Sequence, residues 1–301
     1  MTSAHAAPAE PVSATLVTDD EDALTGVIWP ERDHPMYAGH YPGFAILPGA
    51  YLLDATDRLM RASRAAPGTT LAEVVSCRFK APVRPGEAVA VRLRLDRTGP
   101  EVRCEAQLST VHGPVAVFVL AYRHRAAADT ERPDRPRVAV PDAGPVAGRD
   151  AITGIIPHRP PVLLVDEVTE VEPRRSLTAR YRVTGDEPWG AGEPELAPGL
   201  AVESFAQAAL LLMLWEDPNP DVTRGSVALA GQGEAIALPG RARRGDVIEH
   251  RVQVVRRFGD TAIFKGTSTV DDKVIMEVSR LMAGLRPAEQ LIAARDERGT
   301  P

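Results

Sequence analysis

A histidine, a Pro-Gly pair and a carboxylate fall within fifteen residues of one another near the start of this chain. His40 stands in the run His40-Tyr41-Pro42-Gly43-Phe44, Pro48-Gly49 follows, and Asp54 comes five residues after Gly49. These residue types in this order could do acid–base chemistry beside a carbonyl. Histidine ordinarily titrates near neutrality, which suits it to be a general base. A helix opening at Pro48-Gly49 would offer orphan N–H groups and the positive end of its dipole to a carbonyl oxygen that gains negative charge. Pro48 pre-sets the helix start, and Gly43 would let the turn pass close to a substrate. The carboxylate, in the second turn of that helix, would be an acid.

The elements that must hold these groups occur twice. Pro48-Gly49 leads into an apolar helix over Ala50–Ala65, and Pro198-Gly199 into another over Leu200–Glu216. The second is apolar on nearly every face, which predicts burial all round; its run Leu210-Leu211-Leu212-Met213 is core. Each half then has a turn ending in Gly and an acid, Gly86-Glu87 and Gly245-Asp246, followed by three alternating strands. The predicted strands are Ala88–Asp96, Val102–Val111 and Val115–His124, then Val247–Arg256, Thr261–Val270 and Val274–Gly284. A buried helix plus an antiparallel meander implies an α+β unit whose sheet wraps the helix. Two such units in one chain could pair edge to edge as a built-in dimer, the alternative being two independent domains. The expected division is 13–126 for the first unit, 127–149 for a Pro-rich linker, 150–288 for the second unit and 289–301 for a tail. Residues 1–12 read as an unstructured Ala/Pro-rich lead.

At this point the chain resembles a known family, the 3-hydroxyacyl-ACP dehydratases with the hotdog fold. The segment His40-Tyr-Pro-Gly…Pro48-Gly49…Asp54 is similar to that family's active-site segment. Ile156-Pro157-His158-Arg159-Pro160-Pro161 resembles its N-terminal segment, Glu203-Ser-Phe-Ala-Gln207 its central helix, and Arg78 to Glu87 its strand-entry turn. The layout resembles the double-hotdog dehydratases of polyketide and polyunsaturated fatty-acid synthases. The two copies depart from the pattern in complementary ways. The first lacks the Pro-His-Arg segment. The second has Glu193 where the family has histidine, with a shorter loop before Pro198.

The resemblance implies a histidine from one hotdog and an acid from the other. One composite site then joins His40 with Glu203 and Gln207; the other would join Asp54 with Glu193 and lack a base. Four residues after Asp54 stands Arg58, where the second helix has Gln207. The implied reaction is dehydration of a 3-hydroxyacyl thioester, carried on the phosphopantetheine of an acyl carrier protein, to a trans-2-enoyl thioester. Gly49 N–H would polarise the thioester carbonyl, with Pro48 and Gly43 shaping that subsite. His40 would take the C2 proton. Glu203, its pKa raised by burial, would protonate the leaving hydroxyl, and Gln207 would orient the acid or the water. No metal or redox cofactor is called for. A turn histidine bonded to backbone is the plain alternative for His40, and an interface carboxylate for Glu203. Asp54 reads as a vestige or a structural acid. His158-Arg159 reads first as a pair that bonds backbone and fixes the start of the second unit, with a functional role as the alternative.

Composition bounds the remaining choices. A net charge of −6 argues against a nucleic-acid partner. No apolar run is long enough to span a bilayer, and the N-terminus lacks the order of a signal peptide. Cys77 and Cys104 have no metal-binding spacing, which suggests a cytoplasmic protein with reduced thiols. Arg241, Arg243, Arg244, Arg256 and Arg257 make a basic cluster in an acidic chain. It is either a solvated face or a dock for an acidic acyl carrier protein. A further homo-oligomer or a hetero-partner stays open. The competing functions are a hotdog thioesterase, against which the His-x-Pro-Gly turn speaks, and a non-catalytic acyl-carrier-binding subunit.

Overall fold

The computed structural model describes residues 11–124, 144–185, 187, 193–223 and 225–289. The lead up to residue 10, most of the expected linker and the tail beyond 289 lie outside these. Val12, assigned to the lead on sequence, is instead the buried first residue of a strand.

The first half runs β1 (Val12–Asp19), β2 (Ala23–Pro30), α1 (Met36–His40), α2 (Gly49–Ala62), β3 (Thr69–Phe79), β4 (Val89–Asp96), β5 (Val102–Thr110) and β6 (Gly113–His124). The second runs β7 (Ala147–Gly148), α3 (Arg149–Thr153), β8 (Glu167–Glu172), β9 (Ser176–Arg182), α4 (Pro198–Leu214), β10 (Ser226–Ala237), β11 (Val247–Phe258), β12 (Thr261–Val270) and β13 (Lys273–Pro287). β7 pairs with β8, so the second unit begins a few residues before position 150.

Alternation is cleanest in β4, where Val89, Val91, Leu93 and Leu95 face in and the intervening residues face out. That period of two buries one face of the sheet. α2 and α4 lie on this face and touch each other. α4 buries almost every residue from Gly199 to Leu214, as its all-round apolar sequence predicts. At about 1.5–3 kcal/mol for each buried Leu, Met or Phe, this helix is a main source of cohesion.

The two sheets are joined. The strand order is β1-β2-β4-β5-β6-β3-β10-β13-β12-β11-β9-β8-β7, one antiparallel sheet of 13 strands. The seam is β3 against β10, with Cys77 opposite Gly233 and Val74 opposite Ile236. The tight fit needs the glycine: a Cβ at Gly233 would come within 2.9 Å of the Cys77 sulfur. Each half thus closes an edge of the other. The built-in dimer is an edge-to-edge pair of α+β units, the double hotdog.

Candidate active site

His40 is the last residue of α1, a five-residue helix, rather than part of an open turn. Its ring stacks on Tyr41, with centroids 4.1 Å apart, and the Tyr41 hydroxyl donates to Ala228 O at 2.5 Å. His40 Nδ1 lies 3.2 Å from Ile46 O. A carbonyl only accepts, so Nδ1 carries the proton and Nε2 keeps a lone pair. Burial, and then the charge of His158, push the His40 pKa down to about 4 against the opposing pull of Glu203 and Ile46 O. His40 is therefore neutral at pH 7, the state a base requires.

Glu203 reaches His40 from the other half. Polar atoms of His40, His158 and Glu203 all lie within 4.8 Å of one another. α4 is held in the rotation that allows this by a chain of polar contacts on its buried side. Ser204 Oγ donates to Leu164 O at 2.5 Å, so it must accept from His250 Nε2 at 2.7 Å, and His250 Nδ1 accepts from Ser268 at 2.7 Å. Gln207 donates to Val162 O at 2.8 Å, accepts from Leu164 N–H at 2.8 Å, and donates to Glu203 Oε1 at 3.0 Å. Gln207 thus touches the carboxylate that it was expected to orient.

Two sequence expectations fail here. Glu203 was expected to have a raised pKa. Burial does push it up, but the hydrogen bond and charge of His158, the charge of His40 and the Gln207 amide outweigh burial and bring it down to about 2. Glu203 is a carboxylate at pH 7. The second failure concerns His158, read on sequence as a backbone-bonding residue. Its neighbour Arg159 does bond backbone, at Ile156 O and His158 O, at 2.8 and 2.9 Å. His158 itself is a site residue, buried, with Nε2 3.5 Å from Glu203 Oε1 and its ring edge-on to His40 and Tyr41. The segment that carries it is tied to α1, where Arg159 N–H donates to Gly39 O at 2.7 Å.

The helix starts match differently from their Pro-Gly signatures. Pro48 and Ala197 are the N-caps, with near-identical backbone angles, φ −57° and ψ 137° against φ −57° and ψ 139°. Gly49 is therefore the counterpart of Pro198, not of Gly199, and Asp54 of Glu203. Gly49 offers an orphan N–H at its helix start and lines the cavity. Pro198 has no N–H to offer. The next amide, Gly199 N–H, donates to Asp54 Oδ1 at 2.7 Å. Asp54 thus serves as a structural acid. Glu193 is exposed. Among the described residues this second site offers Asp54, which accepts from Gly199 N–H, and the exposed Glu193, while Pro198 has no N–H at the position that matches Gly49.

The cavity at the first site encloses about 410 Å³ between the halves. His40, Gly49, His158, Glu203 and Gln207 line it, with Leu52, Val74, Phe79, Leu210 and Ile236 among its apolar walls. The exposed side chains of Lys80 and Arg286 also border it. Pro48 and Gly43 lie outside its wall. Pro48 caps α2, while Gly43 has φ +81° and no room for a side chain, since a Cβ would sit 2.7 Å from Thr223.

The five arginines do not form one patch. Arg241 is half-buried and bonded to Leu238 O, Gly240 O, Thr70 and Leu71 O; Arg243 pairs with Glu195 at 3.1 Å; Arg244 packs on Gly185. These three precede β11. Arg256 and Arg257 are exposed at its far end, roughly 30 Å along the strand from its start at Val247. None of the five lines the cavity, but Arg256 and Arg257 lie at the end of β11 that leads to it, because Phe258 is opposite the cavity residue Thr261 and Asp260 O accepts from Leu285 N–H, next to Arg286.

Comparison with known proteins agrees with this layout. Residues 17–113 match the ApeI-like family model, described as ApeI dehydratase, and residues 156–279 match the FabA-like domain. Relatives include the 3-hydroxyacyl-[acyl-carrier-protein] dehydratase FabZ of Anaeromyxobacter sp. (strain Fw109-5). It is 38% identical over 154 residues, covering 49% of this chain and 96% of the relative. The enzyme of the same name from Bacillus subtilis (strain 168) is 33% identical over 136 residues, covering 44% and 94%. Among solved structures, the dehydratase domain of RzxB from Pseudomonas fluorescens superposes with a TM-score of 0.62 at 12% identity, covering 90% of this chain and 97% of that one. The dehydratase domain of PpsC from Mycobacterium tuberculosis, solved with C12:1-CoA, gives 0.62 at 14% identity, with the same coverages. At such identities the structures speak for the fold, and they share both halves of it.

Proposed function

Because the chain belongs to the family of 3-hydroxyacyl-[acyl-carrier-protein] dehydratases, we propose that its one complete site, between the two hotdogs, removes water from a 3-hydroxyacyl thioester to give the trans-2-enoyl thioester. The observation that carries this reading is the meeting of His40, from the first half, with Glu203, from the second, beside Gly49 at the start of α2.

The thioester carbonyl accepts from the Gly49 N–H, which acidifies the C2 proton. His40 Nε2 removes that proton. The electron pair forms the C2–C3 double bond and the C3–O bond breaks. The departing oxygen takes a proton on the Glu203 side of the cavity and leaves as water. Gln207 holds the Glu203 carboxylate in place. The steps need only proton transfers and no redox cofactor. Hydration of the enoyl thioester is the reverse.

The substrate is carried by an acyl carrier protein, which brings its acyl group in on a phosphopantetheine arm. Such carriers are acidic, and the exposed cations beside the cavity, Lys80, Arg256, Arg257 and Arg286, suit one. Arg241, Arg243 and Arg244 are left out of this dock. The compartment is cytoplasmic in this reading; both cysteines are free and buried, and no helix among the described residues is long and apolar enough to cross a membrane. Incubation with 3-hydroxyacyl-ACP, read by mass spectrometry, tests the reaction. Loss of one water is expected. Release of free acid would mean a thioesterase, and an unchanged substrate a binding subunit.

A further inference from the structure

The two halves contain an internal control for what surrounds the acid. Asp54 and Glu203 each stand five residues after the first residue of their helix, on matched helices that touch. Asp54 has no Pro-His-Arg segment to meet it. Its carboxylate turns to the other helix and accepts from Gly199 N–H. Glu203 is met by His158 and stays directed at the base. Its carboxylate accepts only, so His158 Nε2 carries the proton of that contact. His158 Nδ1 is buried and has no hydrogen-bond partner among the described residues. A buried ring nitrogen left without a partner is destabilising, which a purely structural histidine would have little reason to bear. The segment carrying His158 is fastened on both sides, to α4 through Gln207 and Ser204 and to α1 through Gly39 O.

We propose that His158 is a positioning residue for the dehydration, and that the acid of the site is the His158–Glu203 pair rather than Glu203 alone. This rests on the dehydratase reading above. A carboxylate with a low pKa is a poor proton source by itself. The pair in its competent form holds one proton more than a neutral imidazole beside a carboxylate: Nδ1 is protonated and a second, exchangeable proton lies between Nε2 and Oε1, so its release leaves neutral imidazole and carboxylate. When the C3–O bond breaks, the departing oxygen takes that proton through Glu203, while the C2 proton passes to His40 Nε2. The enzyme gains one proton and loses one, and water carries the oxygen away. The other groups facing the pair are His40, Tyr41, Tyr51 and the neutral amide of Gln207. The two tyrosines are pushed up by burial and by Glu203, so they stay neutral through the working range.

The test compares His158→Gln and His158→Ala with the parent enzyme, measuring kcat, KM and the pH profile of kcat/KM, with thermal unfolding to show that each variant folds. Gln can donate a hydrogen bond to Glu203 but cannot supply a titrating proton. The expected result is a fall in kcat of about 100-fold or more in both variants, in line with loss of acid–base catalysis. KM should stay within about threefold. The basic limb of the profile should disappear in both. The proposal is overturned if His158→Gln restores kcat to near the parent value, or if either variant keeps the parent's basic limb. A parent enzyme that releases no water would instead refute the dehydratase reading, a separate failure.

Discussion

At the scale of single residues, reaction depends on which nitrogen of His40 faces the cavity. Ile46 O accepts from Nδ1–H, so Nε2 is the nitrogen free to act as the proposed base. His40→Ala should cut turnover by at least about 100-fold without loss of fold, as expected for removal of a general base. Glu203→Ala should do the same. Asp54→Asn should leave turnover within about twofold, since the amide oxygen can still accept from Gly199 N–H. Steady-state rates checked against thermal unfolding decide all three. The His40 pKa, lowered to about 4, has a sign that can be tested. The base must be neutral, so kcat/KM should hold as pH falls through 6.5 and drop only towards 4. An acid limb at 6.5 or above would show that burial does not act on His40 in this way. His40 and Glu203 were legible in the sequence because motif and helix face announce them. The protonation of Glu203 was not. Its direction is set by burial against His158, His40 and Gln207, and two of these three come from distant segments.

At the scale of elements, the site depends on how α1, α4 and the 156–164 segment lock together. Gly39 is the contact point. A Cβ there would lie 2.6 Å from Arg159 O and 2.7 Å from Val162. Gly39→Ala must therefore displace His158 from His40, and activity should fall about tenfold or more in a protein that still folds. His250 secures α4 from behind. It is fully buried and burial pushes its pKa down to about 3. The unfolded chain binds this proton below about 6.5 and the folded one does not, so stability is present above 6.5 and is lost as pH falls towards 3. The slope is at most about 1.4 kcal/mol per pH unit for this group. His250→Gln should flatten that part of the stability–pH curve; denaturant titrations across this range would show it. The strands after each helix were legible because their alternation is regular. The helix starts were misread by one residue in the second half, where Pro198-Gly199 imitates Pro48-Gly49. Only backbone angles reveal that Ala197 is the cap. His158 was missed for a related reason: its motif reads as local backbone bonding, and its partner Glu203 becomes a neighbour only when α4 packs on the segment.

At the scale of the whole molecule, the seam between β3 and β10 joins the halves that bring His40 and Glu203 to one cavity. The expected edge-to-edge pairing is what the sheet shows, but sequence alone could not choose the strands, since β3 and β10 were not among those it singled out. The basic cluster also dissolves at this scale, because β11 separates residues that are close in sequence. The exposed end of β11 carries the docking prediction. Arg256→Glu with Arg257→Glu should raise KM for an acyl carrier protein about tenfold, leave kcat nearly unchanged, and leave KM for a small pantetheine thioester unaltered. Equal effects on both substrates would place the carrier elsewhere. The central claim is that His40 and Glu203, one from each hotdog, act together on one 3-hydroxyacyl thioester. The most direct measurement is mass spectrometry of 3-hydroxyacyl-ACP mixed with the parent protein, with His40→Ala, with Glu203→Ala and with an equimolar mixture of the two variants. Loss of one water should occur with the parent alone. The mixture should stay inactive, because each folded chain holds its own pair of halves. Water loss that survives either single substitution would contradict the account.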